Sequence, residues 1–319
     1  MISYIIRRIL VLIPMLLIIT FLVFLGLELT PGDAVSYMVS PDALANISQE
    51  SLEQLRDSLG LNDPFIVRYF KWIGGILKGK FGYSLSSGVP ISEIVSDRLP
   101  ATLELSITAL LISTFLGSIL GIISALKKGT IIDNILTLLG MLGVSIPQFF
   151  FGLVVILIFS LRLGWLPVGG RLLPGHESFV DTLPYLILPS LVLGLTMTAG
   201  VMRYARGSML DALNKEYIRT ARSKGLPEWR VKLIHGLRVA LSPIIVLIGF
   251  RLPMLIGGSV VIEQVFQWPG IGREFVAAVR FQNTPLVMMI ALLFVLAMLI
   301  SSFLIDFLIA MLDPRIRLE

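Results

Sequence analysis

From residue 9 to residue 29 the chain runs 21 residues with a single charged side chain, Glu28. That much hydrocarbon matches the apolar core of a bilayer, about 30 Å thick and crossed by about 20 helical residues. Five further apolar runs lie at residues 102–126, 134–161, 183–201, 242–262 and 286–312, and Pro147 is placed to kink the second of these. The expected fold class is therefore all-α, a polytopic membrane protein with six transmembrane helices. Apolar residues make up 55% of the 319 and charged residues 15%, which leaves little polar chain for a separate soluble domain. One transmembrane domain is expected over residues 1–319. It comprises a first helix at 1–29, an extracytoplasmic segment at 30–100, and a five-helix core at 101–312 carrying a polar loop at 203–241. A secretory signal is the rival for the first run, but its apolar region would span about 7 to 15 residues before a small-residue cleavage site. Here the run ends in Thr30-Pro31-Gly32-Asp33, so an uncleaved helix is expected.

Lys and Arg near helix ends stay on the cytoplasmic side, and their distribution sets the orientation. Fifteen lie on one side: Arg7, Arg8, Lys127, Lys128, nine between Arg203 and Arg238, Arg315 and Arg317. Five lie on the other: Arg98, Arg162, Arg171, Arg273 and Arg280. Both termini and the 203–241 loop are thus expected in the cytoplasm of a cell whose inner membrane holds the chain. Six crossings satisfy this alternation, whereas five or seven do not. The pI of about 9.6 belongs to that asymmetry, with the lipid bilayer as partner and no nucleic acid. With no cysteine and only His176 and His235, the sequence offers neither a thiolate metal site nor a histidine cluster.

The segment at 30–100 carries helix signals of its own. Leu52, Leu55 and Leu59 share a side and stop at Gly60, and Asp63-Pro64 opens FIVRYFKWIGGIL. Phe65, Tyr69, Phe70 and Trp72 suit either a membrane interface or packing against helix tops. Residues 74–80 spell G-x-x-x-x-G-K, the skeleton of a phosphate loop, but Phe81 stands where the Mg²⁺-binding hydroxyl belongs and no strand precedes it. Gly117 and Gly121 have the spacing that lets helices approach closely, a spacing that chance also produces among 28 glycines. Three ionisable residues fall near membrane depth. Glu28 and Asp306 are within reach of an interface. Arg251 is midway along its run and either lines a watery cavity or pairs with a buried carboxylate.

Residues 215–241, KEYIRTARSKGLPEWRVKLIHGLRVAL, are the one long charged interruption. Asn214 is the expected helix cap, Glu216 suits the first turn, Lys224 and Gly225 close the helix, and Pro227 opens another. Tyr217, Ile218, Ala221 and Gly225 fall on one face, with Arg219, Arg222, Ser223 and Lys224 largely on the other. A short, rigid, two-faced knob results. Adsorption to anionic lipid is the competing reading, and it should tolerate Gly225→Ala or Ala221→Leu where a docking site should not.

EYIRTARSKG, with Glu216, Ala221 and Gly225 in place, resembles the E-A-A...G loop of ABC importer permeases. Six fragments resemble the peptide and nickel branch of that family: TPGDAV (30–35), LGLNDPFIVRYFKW (59–72), GKFGYSL (79–85), RLPATLEL (98–105), SIPQFFFG (145–152) and GSVVIEQVFQWPGIG (258–272). The resemblance implies a type I ABC importer permease fold and no catalysis by this chain. It further implies a homologous second permease, two cytoplasmic ATPase subunits that hold the ATP and Mg, and an extracytoplasmic substrate-binding protein. By the same resemblance Glu216, Tyr217, Ala221, Lys224, Gly225 and Leu226 would couple to an ATPase. Arg251, Glu263, Phe266 and Trp268 are placed along a translocation path by position alone. Short peptides are the expected solute, with nickel and small oligosaccharides behind. A proton-coupled carrier would call for an internal repeat and paired intramembrane carboxylates, which this sequence does not display.

Overall fold

The computed structural model describes residues 2–29, 48–58, 60–171 and 179–312. The TPGDAV fragment, Leu59, His176, Glu177 and the tail after Leu312 lie outside the described residues, as do the side chains of Arg7, Arg8, Leu55 and Asp306. The helices are α1 (Ile2–Glu28), α2 (Gln49–Ser58), α3 (Phe65–Leu77), α4 (Ile91–Leu126), α5 (Ile131–Ser145), α6 (Gln148–Val155), α7 (Phe179–Leu213), α8 (Glu216–Ser223), α9 (Glu228–Arg230), α10 (Leu237–Val265), α11 (Ile271–Arg280) and α12 (Thr284–Leu312). Wider π-helical turns extend α6 through Ile156–Arg162 and join α9 to α10 through Val231–Gly236. Among the described residues the β pairing is limited to a bridge between Tyr83 and Pro90.

Five helical stretches are long and apolar enough to cross a membrane, and α5 with the extended α6 makes a sixth if that pair is one span. The expected single kinked helix over 134–161 is instead broken, with a bend of 102°. Pro147 pushes the residue before it out of helical backbone, and Ile146 accordingly takes φ −84° and ψ 123°. Two other boundaries also move. α4 starts at Ile91, ahead of the expected Thr102, because Ile91, Ile94, Val95 and Leu99 form an apolar face that carries the helix through Pro100. α7 continues past Val201 to Leu213, its extra turns burying Met202, Ala205, Met209 and Ala212.

The chain divides into two compact units. The first comprises Met1–Pro100 and Gly270–Leu299. Its aromatics pack rather than face an interface: Tyr69 is buried, donates to Leu17 O at 2.7 Å and meets Thr20 Oγ1 at 3.0 Å. Phe21 and Phe24 pack on Phe65 and Tyr69, while Phe70 alone of the expected set stays well exposed. Glu28 pairs with Arg68, a structural role. The G-x-x-x-x-G-K stretch spans the end of α3, so its first glycines are helical and cannot cradle a phosphate with loop N–H groups. The loop after it is held by Asn283, whose Oδ1 accepts from Leu85 N at 3.1 Å and whose Nδ2 donates to Ser84 Oγ at 2.7 Å.

The second unit comprises Ala101–Pro269 and Ile300–Glu319. Its core joins Ala101, Leu105 and Ala109 of α4 to Val155, Leu186, Leu193, Ile262, Phe266 and Trp268. α4 and α7 approach until their backbones nearly touch. A Cβ on Gly117 would lie 2.6 Å from Val201 Cβ, one on Gly121 would overlap Met202 O, and one on Gly194 would lie 2.9 Å from Ile112 Cγ2. Close approach, not chance, accounts for the Gly117 and Gly121 spacing.

Candidate functional site

The charged stretch folds as a hairpin of two short helices, α8 and α9, rooted where α7 ends and α10 begins. Lys215, not Asn214, is the N-cap of α8, with φ −76°, ψ 153° and no side-chain bond. Asn214 is already used by the last turn of α7, its N–H bonded to Asp211 O at 3.2 Å. Inside the hairpin Ile218, Ala221 and Val231 are buried together with Leu226 against them. Ala221 therefore serves the hairpin's own packing, and Leu in its place would force α8 away from its neighbours. Gly225 has φ +72°, and nothing lies within 4 Å of where its Cβ would be. Its requirement is conformational, since left-handed backbone disfavours any residue with a Cβ. The turn is closed by Gly225 N–H to Arg222 O at 2.9 Å and Leu226 N–H to Ala221 O at 3.4 Å. Substitutions at Ala221 and Gly225 thus disturb the fold itself and do not separate docking from lipid adsorption.

What the hairpin exposes is charge and two aromatics. Glu216 pairs with Arg219 at 2.9 Å, and Arg222 with Glu228 at 2.8 Å, across largely solvated side chains. Such pairs contribute little stability and remain free to exchange with a partner. Tyr217 is half-exposed and donates to Ala212 O at 3.3 Å, tying α8 to α7. Partial burial holds its phenol above the ordinary range. Trp229 is exposed, with the Arg230 guanidinium 5.3 Å from its ring centre. Sequence reasoning passed over Trp229; an aromatic between two charges just after Pro227 was the available signal.

Just above the hairpin's root, Asp133 of α5 is buried and accepts from Arg206 Nε and Nη2, each at 2.9 Å. Ser124 Oγ of α4 and the Gly129 N–H complete its shell, at 2.5 and 3.0 Å. One carboxylate therefore ties α4, α5 and α7 together. Sequence reading did not find it, because its members lie 73 residues apart.

The four residues expected along a path divide in two. Phe266 and Trp268 are fully buried in the core, with Trp268 Nε1 donating to Ala101 O at 2.8 Å. Glu263 is equally buried and accepts from Thr102 Oγ1 at 2.8 Å and Ser259 Oγ at 3.0 Å. These three touch protein on all sides in this conformation. Arg251 is half-buried; its Nη1 donates to Met197 O at 3.0 Å, and its guanidinium lies over Gly200, where a Cβ would overlap it.

Comparison with known proteins follows the same lines. Residues 117–318 match the family described as binding-protein-dependent transport system inner membrane component, and residues 1–106 match the N-terminal component of such systems. The chain is 42% identical over 319 residues to the oligopeptide transport system permease protein AppB of Bacillus subtilis, covering 99% of this chain and 100% of that one. It is 38% identical over 317 residues to the glutathione transport system permease protein GsiC of Salmonella typhimurium, covering 99% of each. Among solved structures, an amino acid ABC transporter with histidines superposes with a TM-score of 0.55 at 15% identity, over 69% of this chain and 94% of that one. The MetNI methionine ABC transporter does so with a TM-score of 0.54 at 17% identity, over 70% and 98%. At those identities the likeness is one of fold.

Proposed function

As the chain belongs to the binding-protein-dependent transport system inner membrane components, we propose that it forms, with a second homologous permease, the translocation path of an ATP-driven importer of short peptides. It is a multi-pass protein of the inner membrane. The substrate class is supported by relatives named for oligopeptide and glutathione transport that align over nearly the whole chain. Two cytoplasmic ATPase subunits carry the ATP and Mg²⁺, and an extracytoplasmic binding protein delivers the peptide. Six spans with both termini in the cytoplasm follow from the basic-residue asymmetry if α5 and the extended α6 are one broken crossing.

The observation that carries the coupling role is the hairpin: a packed interior of Ile218, Ala221 and Val231 under an exterior of solvated ion pairs and two exposed aromatics. Glu216, Tyr217, Lys224 and Trp229 make its contact surface, while Ala221, Gly225 and Leu226 keep that surface rigid. Switching a cavity between inward and outward access from 1:99 to 99:1 takes about 5.5 kcal/mol of differential interaction. A stiff handle delivers that to the helices it is rooted in; a loose loop dissipates it. Arg251 faces the path, and Glu263, Phe266 and Trp268 form the wall behind it. The test is Glu216→Lys in liposomes with all partners present. Peptide-stimulated ATP hydrolysis and uptake should fall together, and wild-type values for both would refute the coupling role. Exposed Trp229 beside Arg230 supports one other reading, adsorption on anionic lipid. In that case loss should track the anionic lipid content of the vesicle instead of the ATPase.

A further inference from the structure

Arg251 stands at the middle of α10, a helix of 29 residues. Glu263 is the one acidic residue on that helix, about 18 Å further along its axis, and it is held by Thr102 and Ser259. Among the described residues Arg251 makes no ion pair, and Met197 O takes only its Nη1. Among the described residues its other guanidinium nitrogens carry no hydrogen bond. An arginine at this depth is costly and has to be offset by a partner.

The start of α6 is anchored to the same turn of α7. Because the chain breaks at Ile146 and Pro147, α6 starts in the interior of a span, and its N-cap Pro147 provides no side-chain bond. The free N–H groups of a helix start carry partial positive charge, and a broken membrane helix presents them at mid-depth. Gln148 Nε2 fixes that start by donating to Thr196 Oγ1 at 3.1 Å. Thr196 and Met197 are consecutive residues near the middle of α7, so one turn of that helix anchors both the start of α6 and Arg251. Gly200, on the next turn, leaves the room in which the guanidinium sits.

We infer that Arg251 forms a mid-membrane subsite for the carboxylate of the travelling solute. The proposal rests on the permease reading above and deepens it. Every unmodified peptide carries a terminal carboxylate whatever its side chains, so a guanidinium fork reads the one group that all such cargo shares. Holding Met197 O when empty, the arginine has an internal partner to return to on release.

The chain has no cysteine, so Arg251→Cys introduces a single thiol to follow in a complete transporter built with cysteine-free partners. The probes are tri-alanine and tri-alanine amide, each at concentrations that saturate the binding protein, in liposomes supplied with ATP. Arg251→Gln should lower tri-alanine uptake about 10- to 100-fold and amide uptake by much less, and Arg251→Lys should keep part of the tri-alanine uptake that Arg251→Gln loses. The thiol introduced by Arg251→Cys should react with a negatively charged methanethiosulfonate, as a side chain on the water-filled path would. Equal losses for acid and amide, an inert thiol, or undiminished tri-alanine uptake by Arg251→Gln would each overturn the subsite. Wild-type transporter that carries neither peptide would instead overturn the peptide-importer reading beneath it.

Discussion

A methyl group is a sufficient probe of how closely α4 and α7 approach. Alanine at Gly121 would set its Cβ against Met202 O and 2.8 Å from Ala205 Cβ. A carbonyl oxygen of a helix cannot rotate aside, so the helices themselves must separate. Gly121→Ala should therefore cost about 1–3 kcal/mol, seen as a lower Tm of the purified protein. Gly207 of α7 has nothing within 4 Å of its Cβ position, and Gly207→Ala should raise stability by up to about 1 kcal/mol through helix propensity. Shifts of the same sign at both positions would contradict the packing described. Gly225 is a third case, governed by φ +72° and not by space. Gly225→Ala should destabilise the hairpin by about 1–2 kcal/mol. Gly225→Asn, which tolerates left-handed backbone, should be milder. Hydrogen exchange of the α8 amides would rank the two, and equal protection would count against the strained turn.

Asp133 joins three helices through a single buried carboxylate. Its side chain is 5% exposed and that of Arg206 30%, so removing one partner strands the other in a largely dry setting. Asp133→Asn or Arg206→Gln should cost about 3 kcal/mol, at the lower end for a broken buried pair because Arg206 keeps some water. The double variant should cost less than the sum of the two, and simple additivity in thermal unfolding would mean the pair is not coupled. Local sequence could show the apolar runs and the GxxxG spacing, since both are written in neighbouring residues. It could not show this clamp, whose members are brought together only by helix packing. Proline is read locally but acts in context. Pro100 lies inside α4, because the apolar face on either side is buried, whereas Pro147 reads as a kink but stops the helix. Asn214 had the chemistry of a cap but was consumed by the end of α7.

At the scale of the molecule, fold class was legible because membrane depth enforces long apolar helices, and the family because EYIRTARSKG and six further fragments resemble it in order. The fate of Phe266, Trp268 and Glu263 was not, since a path wall and a packed core draw on the same residue types. Sidedness rests on fifteen basic residues against five, and it is open to direct measurement. Ser223, at the end of α8, and Ser87, in the loop after α3, are both exposed. With no native thiol to interfere, Ser223→Cys and Ser87→Cys can be labelled one at a time by a membrane-impermeant maleimide. Intact cells should label only the thiol at position 87, and inside-out vesicles only the thiol at 223. The reverse pattern would turn the hairpin away from the cytoplasmic ATPases and remove the coupling role. In the proposed topology an odd number of crossings, α4, the α5 and α6 pair, and α7, separates the two positions and places them on opposite faces. Labelling of both from one face would require an even number, which would make α5 and α6 a re-entrant loop that returns to its own side and would overturn the six-span arrangement.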